Sequence, residues 1–394
     1  MNENWKSPNI IIGSVATGGN FFRRDELEEI IWDKLCAGSS VQLTAPRRVG
    51  KTSIMQFMAT QSIENYKLIF NDIEGINSAN EFYERIYLLL LNCLNMMYKA
   101  RKWVEKFFSS RSITEISMEG IKWEIKPDDF LRETNLLLRK INDSPEIEKI
   151  VLFLDELPIM LFKMSKKKNE EATSILSNMR YWRQQPELNK KVRFVLAGSV
   201  GMNNVVKAIE GRIAVLNDLA LVKFEPLTHE AAVEYVKWAT DNSSLFFDPA
   251  LIEYLLGKIH YYVPYFINLM LNDINSQARS INDPEITEQQ IDNAFETIVT
   301  QDYYFHDWED RLKQYMTKAD FNFVNELLIH TAHKGVITLQ EIYDKAVKHE
   351  KTGDYMKFIF DLEKDGYITM VNEKYRFISP FLSAYWKRNN PINE

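Results

Sequence analysis

Val41-Gln42-Leu43-Thr44-Ala45-Pro46-Arg47-Arg48-Val49-Gly50-Lys51-Thr52 is an apolar strand that runs straight into a turn closing on Gly-Lys-Thr. The residues that follow, Ser53-Ile54-Met55-Gln56-Phe57-Met58, have helical spacing. A strand, a loop and a helix in that order aim the backbone of residues 45–53, Ser53 included and with every N–H but that of Pro46 available, at one point where it holds a polyphosphate. Lys51 is expected between the outer phosphates and the Thr52 hydroxyl on Mg²⁺. Ala45 stands where the pattern G-x-x-x-x-G-K-[ST] has its first glycine, and its methyl group narrows the backbone conformations open to the loop there.

A second stretch supplies the partner to this loop. In Ile150-Val151-Leu152-Phe153-Leu154-Asp155-Glu156, five apolar residues end in two acids, which reads as a parallel strand buried on both faces with its carboxylates at the C-terminal edge. Ligands of open α/β sheets sit at that edge. Asp155 is expected to hold the Mg²⁺ shell and Glu156 to orient or deprotonate an attacking water.

The 394 residues suffice for two or three domains, and 45% hydrophobic with 26% charged residues is ordinary for a folded, soluble chain. A net charge of −7 gives no general attraction to nucleic acid or anionic membrane. Cys36 and Cys93 both sit in helical apolar patterns and read as core residues of a reducing compartment. His330-x-x-His333 has no cysteine or carboxylate at ligand spacing and is not read as a metal site. The N-terminus shows no basic segment followed by an apolar core, and the longest apolar run, Ile86 to Leu91, is too short to span a bilayer. The expected location is the cytoplasm, with no membrane contact.

Ahead of the phosphate loop, Phe21-Phe22-Arg23-Arg24 precedes a helix that Gly38 ends. Phe22 and Arg24 are candidates to touch a base or ribose, with packing and surface charge as the equal alternative. Lys67–Asp72 reads as a second strand, and residues 79–108 as a long helical stretch. Residues 112–125 change to period two about Glu119-Gly120, a hairpin inserted near 100–130 that accounts for the gap between Lys51 and Asp155. Lys163–Lys168 reads as a basic loop leading to a helix carrying Arg180 and Arg183, either of which is a candidate to reach the γ-phosphate of a neighbouring subunit, with a structural role as the default. Val192–Ser199 is the next buried strand, placing Ser199 to report on the γ-phosphate if it lies beside the Asp155 strand.

After a short strand near 219–224, the pattern is helical to Ile298, a lid at residues 226–299. An aromatic connector occupies 300–314. Three helices near 318–333, 338–349 and 352–365 and a hairpin through Tyr367–Ile378 follow, the order of a winged helix at 315–394. Its candidate recognition helix carries Asp354, Asp361, Glu363 and Asp365 against Lys357 and Lys364, less basic than a face meant for phosphates. That favours contact with a protein over contact with DNA.

With these pieces in order, the chain resembles the archaeal-type ATPases of the signal-transducing, STAND-like NTPase group, relatives of the AAA+ and origin-recognition-like ATPases. The resemblance rests on Phe22–Leu27, Ala45–Thr52, Leu154-Asp155-Glu156, Gly198-Ser199, Pro264-Tyr265-Phe266 and Ser379–Leu382. It implies an α/β P-loop NTPase domain with an AAA+-like parallel sheet at 1–225, followed by the lid and winged helix. It also implies ATP and Mg²⁺ as ligands, with Lys51 on phosphate, Thr52 and Asp155 at the metal, Glu156 as the catalytic acid residue and Ser199 as sensor. The lid helix has Asn268 and Asn272 where a second sensor arginine is usual, which fits slow or partner-activated hydrolysis driving a conformational switch. A protein partner is expected through the lid or winged helix, and oligomerisation is compatible with the pattern. The alternative reading is a DNA-binding protein of a mobile-element or defence system with a mainly structural nucleotide site.

Overall fold

The computed structural model describes residues 5–97, 113–116, 121–123, 129–198 and 201–391. They form two units. One holds residues 23–45 and 51–224; the other holds residues 1–22, 46–50 and 225–394.

In the unit of residues 23–45 and 51–224, α1 (Asp25–Cys36) leads to β1 (Val41–Thr44), and α2 (Lys51–Thr60) follows after residues 46–50. There follow β2 (Tyr66–Asp72), α3 (Ala79–Asn95), the antiparallel pair β3 (Ile113–Ile116) and β4 (Ile121–Trp123), and α4 (Phe130–Asp143). Then come β5 (Lys149–Asp155), α5 (Leu157–Gln184), β6 (Val192–Leu196), α6 (Met202–Glu210) and β7 (Ala220–Lys223). Five of these strands make one sheet in the order β2-β5-β6-β1-β7, every neighbouring pair parallel. The expected parallel α/β sheet is therefore present, and β6 separates the strand ending at Thr44 from the strand ending in Asp155.

Burial explains the sheet. Ile150 through Leu154 are all 0% exposed, as a strand covered by helices on both faces must be. Trp182 of α5 stacks between Phe82 and Phe194, and its indole N–H donates to Asn135. Ser78 and Asp129 cap α3 and α4 by accepting from backbone N–H groups. The hairpin expected near 112–125 is seen as β3 and β4; its turn at Glu119-Gly120 and the end of the helical stretch, residues 98–108, lie outside the described residues.

Two sequence expectations are corrected here, and a third residue takes its default role. Lys163–Lys168 is not a loop but part of α5, which bends at Lys168 (φ −148°, ψ 81°). Met160, Leu161 and Met164 before the bend and Ala172, Ile175 and Leu176 after it are buried along one face, so core packing keeps the basic segment helical. Cys36 is exposed rather than core, whereas Cys93 is buried. Arg183 takes the structural place that was its default reading. It is buried against Asp218, with Nε 2.6 Å from Oδ2 and Nη2 3.0 Å from Oδ1, and donates further to the Val215 carbonyl.

In the other unit, four helices, α7 (His229–Thr240), α8 (Pro249–Ile259), α9 (Pro264–Ile281) and α10 (Glu288–Val299), precede α11 (His306–Tyr315) and α12 (Lys318–Lys334). After them lie β8 (Ile337–Thr338), α13 (Leu339–Lys348), α14 (Tyr355–Lys364), β9 (Ile368–Val371), β10 (Lys374–Phe377) and α15 (Pro380–Asn389). The strands form an antiparallel sheet in the order β8-β10-β9. The two residues of β8 carried no strand signal of their own.

Pro249 and Pro264 open helices, where their missing N–H costs nothing. Thr287 with Gln290 and Thr338 with Glu341 form capping boxes. Phe381 of α15 packs on Phe266, Phe295 and Phe305, joining α9, α10 and α15 through one aromatic core. The N-terminal segment, assigned from sequence to the 1–225 domain, belongs to this unit: Trp5 donates to Asn275, Asn268 donates to the Ile11 carbonyl, and Phe22 meets Tyr235 and Trp238 edge-on.

Candidate functional site

The loop between β1 and α2 has two residues in the left-handed region, Arg48 (φ 63°) and Gly50 (φ 99°). Gly50 adopts this freely, and Arg48 does so at some cost in strain. Ala45 is not among the positive-φ residues, so the methyl group that departs from the glycine pattern meets no backbone demand. Lys51 begins α2, is buried, and donates from Nζ to the Ala45 carbonyl at 3.2 Å. Val49 and Ser53 are buried as well.

Across the sheet edge, the Thr52 hydroxyl donates to Asp155 Oδ2 at 2.5 Å. The Glu156 backbone N–H donates to the other carboxylate oxygen at 2.9 Å. Asp155 is 1% exposed. Burial pushes its carboxyl up, and the nearby Asp72 adds to the rise; the bonds from Thr52 and Glu156 and the Lys51 charge work against it without cancelling it. Asp72, which closes β2 in register with Asp155, was not singled out from sequence. Its signal was available, an acid ending a second apolar strand.

Glu156 sits in the left-handed conformation (φ 58°, ψ 24°) at the start of α5. A non-glycine residue held there marks a turn fixed by its surroundings. Those surroundings are the end of β6: the Leu157 N–H donates to the Ala197 carbonyl, and a Cβ on Gly198 would lie 2.4 Å from Pro158 Cδ and 3.5 Å from Glu156 Oε2. Gly198 therefore sets how closely β6 approaches the Glu156 turn. Ser199, the expected sensor, lies outside the described residues.

Thus Lys51, Thr52, Asp155 and Glu156 are brought together with Ala45. Phe22 meets Tyr235 and Trp238, and Arg24 lies over the Phe224 ring at 4.6 Å. Both make packing contacts. Arg47 and Arg48 turn to Asp307 at 3.5 and 3.3 Å, while Pro46 lies so near Gly366 that a Cβ there would be 3.0 Å from its own. Asn268 is committed to internal bonds with Tyr235 and Ile11. His330 and His333 go to different partners, Glu341 and the Asn390 carbonyl.

Among the described residues, no three His, Cys, Asp or Glu side chains are grouped to hold a metal by themselves. The donor set present, one hydroxyl and one carboxylate in contact, suits Mg²⁺, which takes one or two protein oxygens and completes its shell with water and phosphate. Among the same residues no helix is long and apolar enough to cross a membrane.

No family model and no curated protein matches the chain. Among solved structures, it is similar to a Walker-type ATPase of Pyrococcus abyssi, with a TM-score of 0.62 and 17% identity over 96% of this chain and 99% of that one. It is also similar to the ORC2 protein of Aeropyrum pernix in its ADPNP-ADP complexes, with a TM-score of 0.54 and 12% identity over 98% and 96% of the two chains. At these identities the likeness is one of fold, a five-stranded parallel sheet with helices.

Proposed function

We propose that this chain binds ATP with Mg²⁺ at the loop of residues 45–52 and hydrolyses it slowly or on activation, as a nucleotide-driven conformational switch of the archaeal-type, STAND-like ATPase kind. The observation that carries this reading is the buried contact of Thr52 with Asp155 beside the left-handed Glu156. A hydroxyl and a carboxylate drawn from the first turn of α2 and the end of β5 are what a Mg²⁺–phosphate group needs. Bound there, Mg²⁺ supplies neutralising charge for the phosphate oxygens.

The remaining roles belong to the chain's own side chains. Lys51 exchanges the Ala45 carbonyl for a phosphate oxygen. The backbone of Pro46 to Gly50 cradles the phosphates, with Ser53 one residue further into the helix. Glu156 accepts the proton of the attacking water, and Ser199 senses the terminal phosphate. The switch requires phosphate to bind two arrangements unequally.

Residues 226–299 are read as the lid, 300–314 as connector and 315–394 as a winged helix. For the output, a protein partner is favoured over DNA: Tyr343, Val347 and Phe360 of α13 and α14 are exposed apolar side chains. Lys163 and Lys168 are taken up by Glu74 and Glu171.

The test is Mg²⁺-dependent phosphate release from ATP by the wild type, Lys51→Ala and Glu156→Gln, with ATP binding measured on the same samples. Turnover lost in both variants, with ATP still held by Glu156→Gln, is the expected result. A wild type that does not bind ATP would end this reading.

A further inference from the structure

The two arginines of the phosphate loop do not project freely; they are held by α11. Arg47 and Arg48 converge on one oxygen, Asp307 Oδ2, at 3.5 and 3.3 Å. Their planar groups lie over aromatic rings, Arg47 at 6.0 Å from the Trp308 centroid and Arg48 at 4.6 Å from that of Tyr265. Arg311, one turn further along α11, is near enough for its charge to act on Arg47. Two guanidinium groups thus share one carboxylate, which is itself 53% exposed on its side chain.

Two further features mark the carboxylate as an incomplete partner. Arg47 Nη1 and Arg48 Nε are buried N–H groups without a hydrogen-bond acceptor, a costly state for charged donors. Arg48 also holds its left-handed backbone while making this contact. A carboxylate offers two oxygens; a phosphate offers three, more charge, and the geometry that a guanidinium fork matches.

Helix α11 is firmly anchored to the C-terminal elements. Trp308 is fully buried, its carbonyl accepts from the Tyr367 hydroxyl at 2.7 Å, and Glu309 accepts from the Tyr385 hydroxyl at 3.0 Å. A change at Asp307 is therefore passed to residues of the C-terminal elements rather than lost in a loose segment.

We propose that Asp307 is an internal substitute for phosphate, so that a phosphate-bearing ligand of the loop and helix α11 compete for Arg47 and Arg48. Occupation of the loop by phosphate frees Asp307, and engagement of Asp307 weakens phosphate binding, the two effects being equal by linkage. The proposal rests on the nucleotide reading and adds to it the contact through which the loop is regulated.

The experiment compares the wild type, Asp307→Asn and Arg48→Gln on the full chain. It measures Mg²⁺-ATP and pyrophosphate affinity by calorimetry, and amide exchange of residues 306–315 with and without ligand. Competition predicts that Asp307→Asn binds both ligands about three- to tenfold more tightly, the worth of one or two partly exposed ion pairs. It also predicts that ligand raises exchange at 306–315 in the wild type but adds little in Asp307→Asn. Arg48→Gln should lose affinity and the ligand-induced exchange together. Unchanged or weaker binding by a folded Asp307→Asn, with normal binding by the wild type, would overturn the competition while leaving the nucleotide site intact. A wild type that binds neither ligand would overturn both.

Discussion

Replacing Thr52 with valine removes the donor to Asp155 Oδ2 while keeping the volume of the side chain. The carboxylate is 1% exposed and its other oxygen is taken by the Glu156 N–H, so the lost 2.5 Å bond has no water to replace it. A hydrogen bond to a charged buried group contributes about 1.5–3 kcal/mol. For a unit of this size each kcal/mol moves Tm by roughly 2–4 °C, so the variant should melt roughly 3–12 °C lower at neutral pH.

The pH dependence follows from the sign of the shift. Asp155 in the fold lies above its ordinary value of 3.8, chiefly from burial. Its ionised form therefore costs stability above the folded pKa, and that cost disappears as pH falls toward 3.8. Thr52→Val raises the folded value further, so its deficit should be full near neutrality and shrink as the carboxyl is protonated. Thermal unfolding followed by circular dichroism at neutral and mildly acid pH reads this directly, and Mg²⁺-ATP should raise the Tm of the wild type more than that of the variant. A variant as stable as wild type at neutral pH, or one whose deficit does not change with pH, would refute the claim that Thr52 stabilises an ionised Asp155.

Gly198→Ala should destabilise by about 1–3 kcal/mol, because its Cβ meets the rigid Pro158 ring at 2.4 Å; it should also slow phosphate release, since the Glu156 turn must shift, and denaturant melts with steady-state assays check both. Asp218→Ala should cost about 3–5 kcal/mol in denaturant unfolding by leaving the buried Arg183 without its carboxylate. Mixing Arg183→Ala with Lys51→Ala subunits should restore no hydrolysis, as expected of an arginine that acts within its own fold.

How much was legible without the structure depended on how local the cause was. The strand–loop–helix at 41–58, the buried strand 150–154 and the hairpin strands at 113–123 follow from apolar period, glycine and charge placement within a dozen residues. So do the helix starts at Thr228, Pro249 and Pro264.

What tertiary structure decided involves partners far apart in the chain. The place of β6 between β1 and β5 fixes which residues meet at the sheet edge, and Thr52 finds Asp155 only through it. No window of sequence shows that Glu156 is left-handed, at a turn where Leu157 bonds to the Ala197 carbonyl at the end of β6. Arg183 turns inward because Asp218 and the Val215 carbonyl wait there, and residues 5–22 join the second helical unit because Asn268, Asn275 and Tyr235 offer them hydrogen bonds and an aromatic face. The loop arginines are the clearest case. Their charge is written in the sequence at 47 and 48, but only folding brings Asp307 to them, because an ion pair across 260 residues depends on chain topology and not on local propensity.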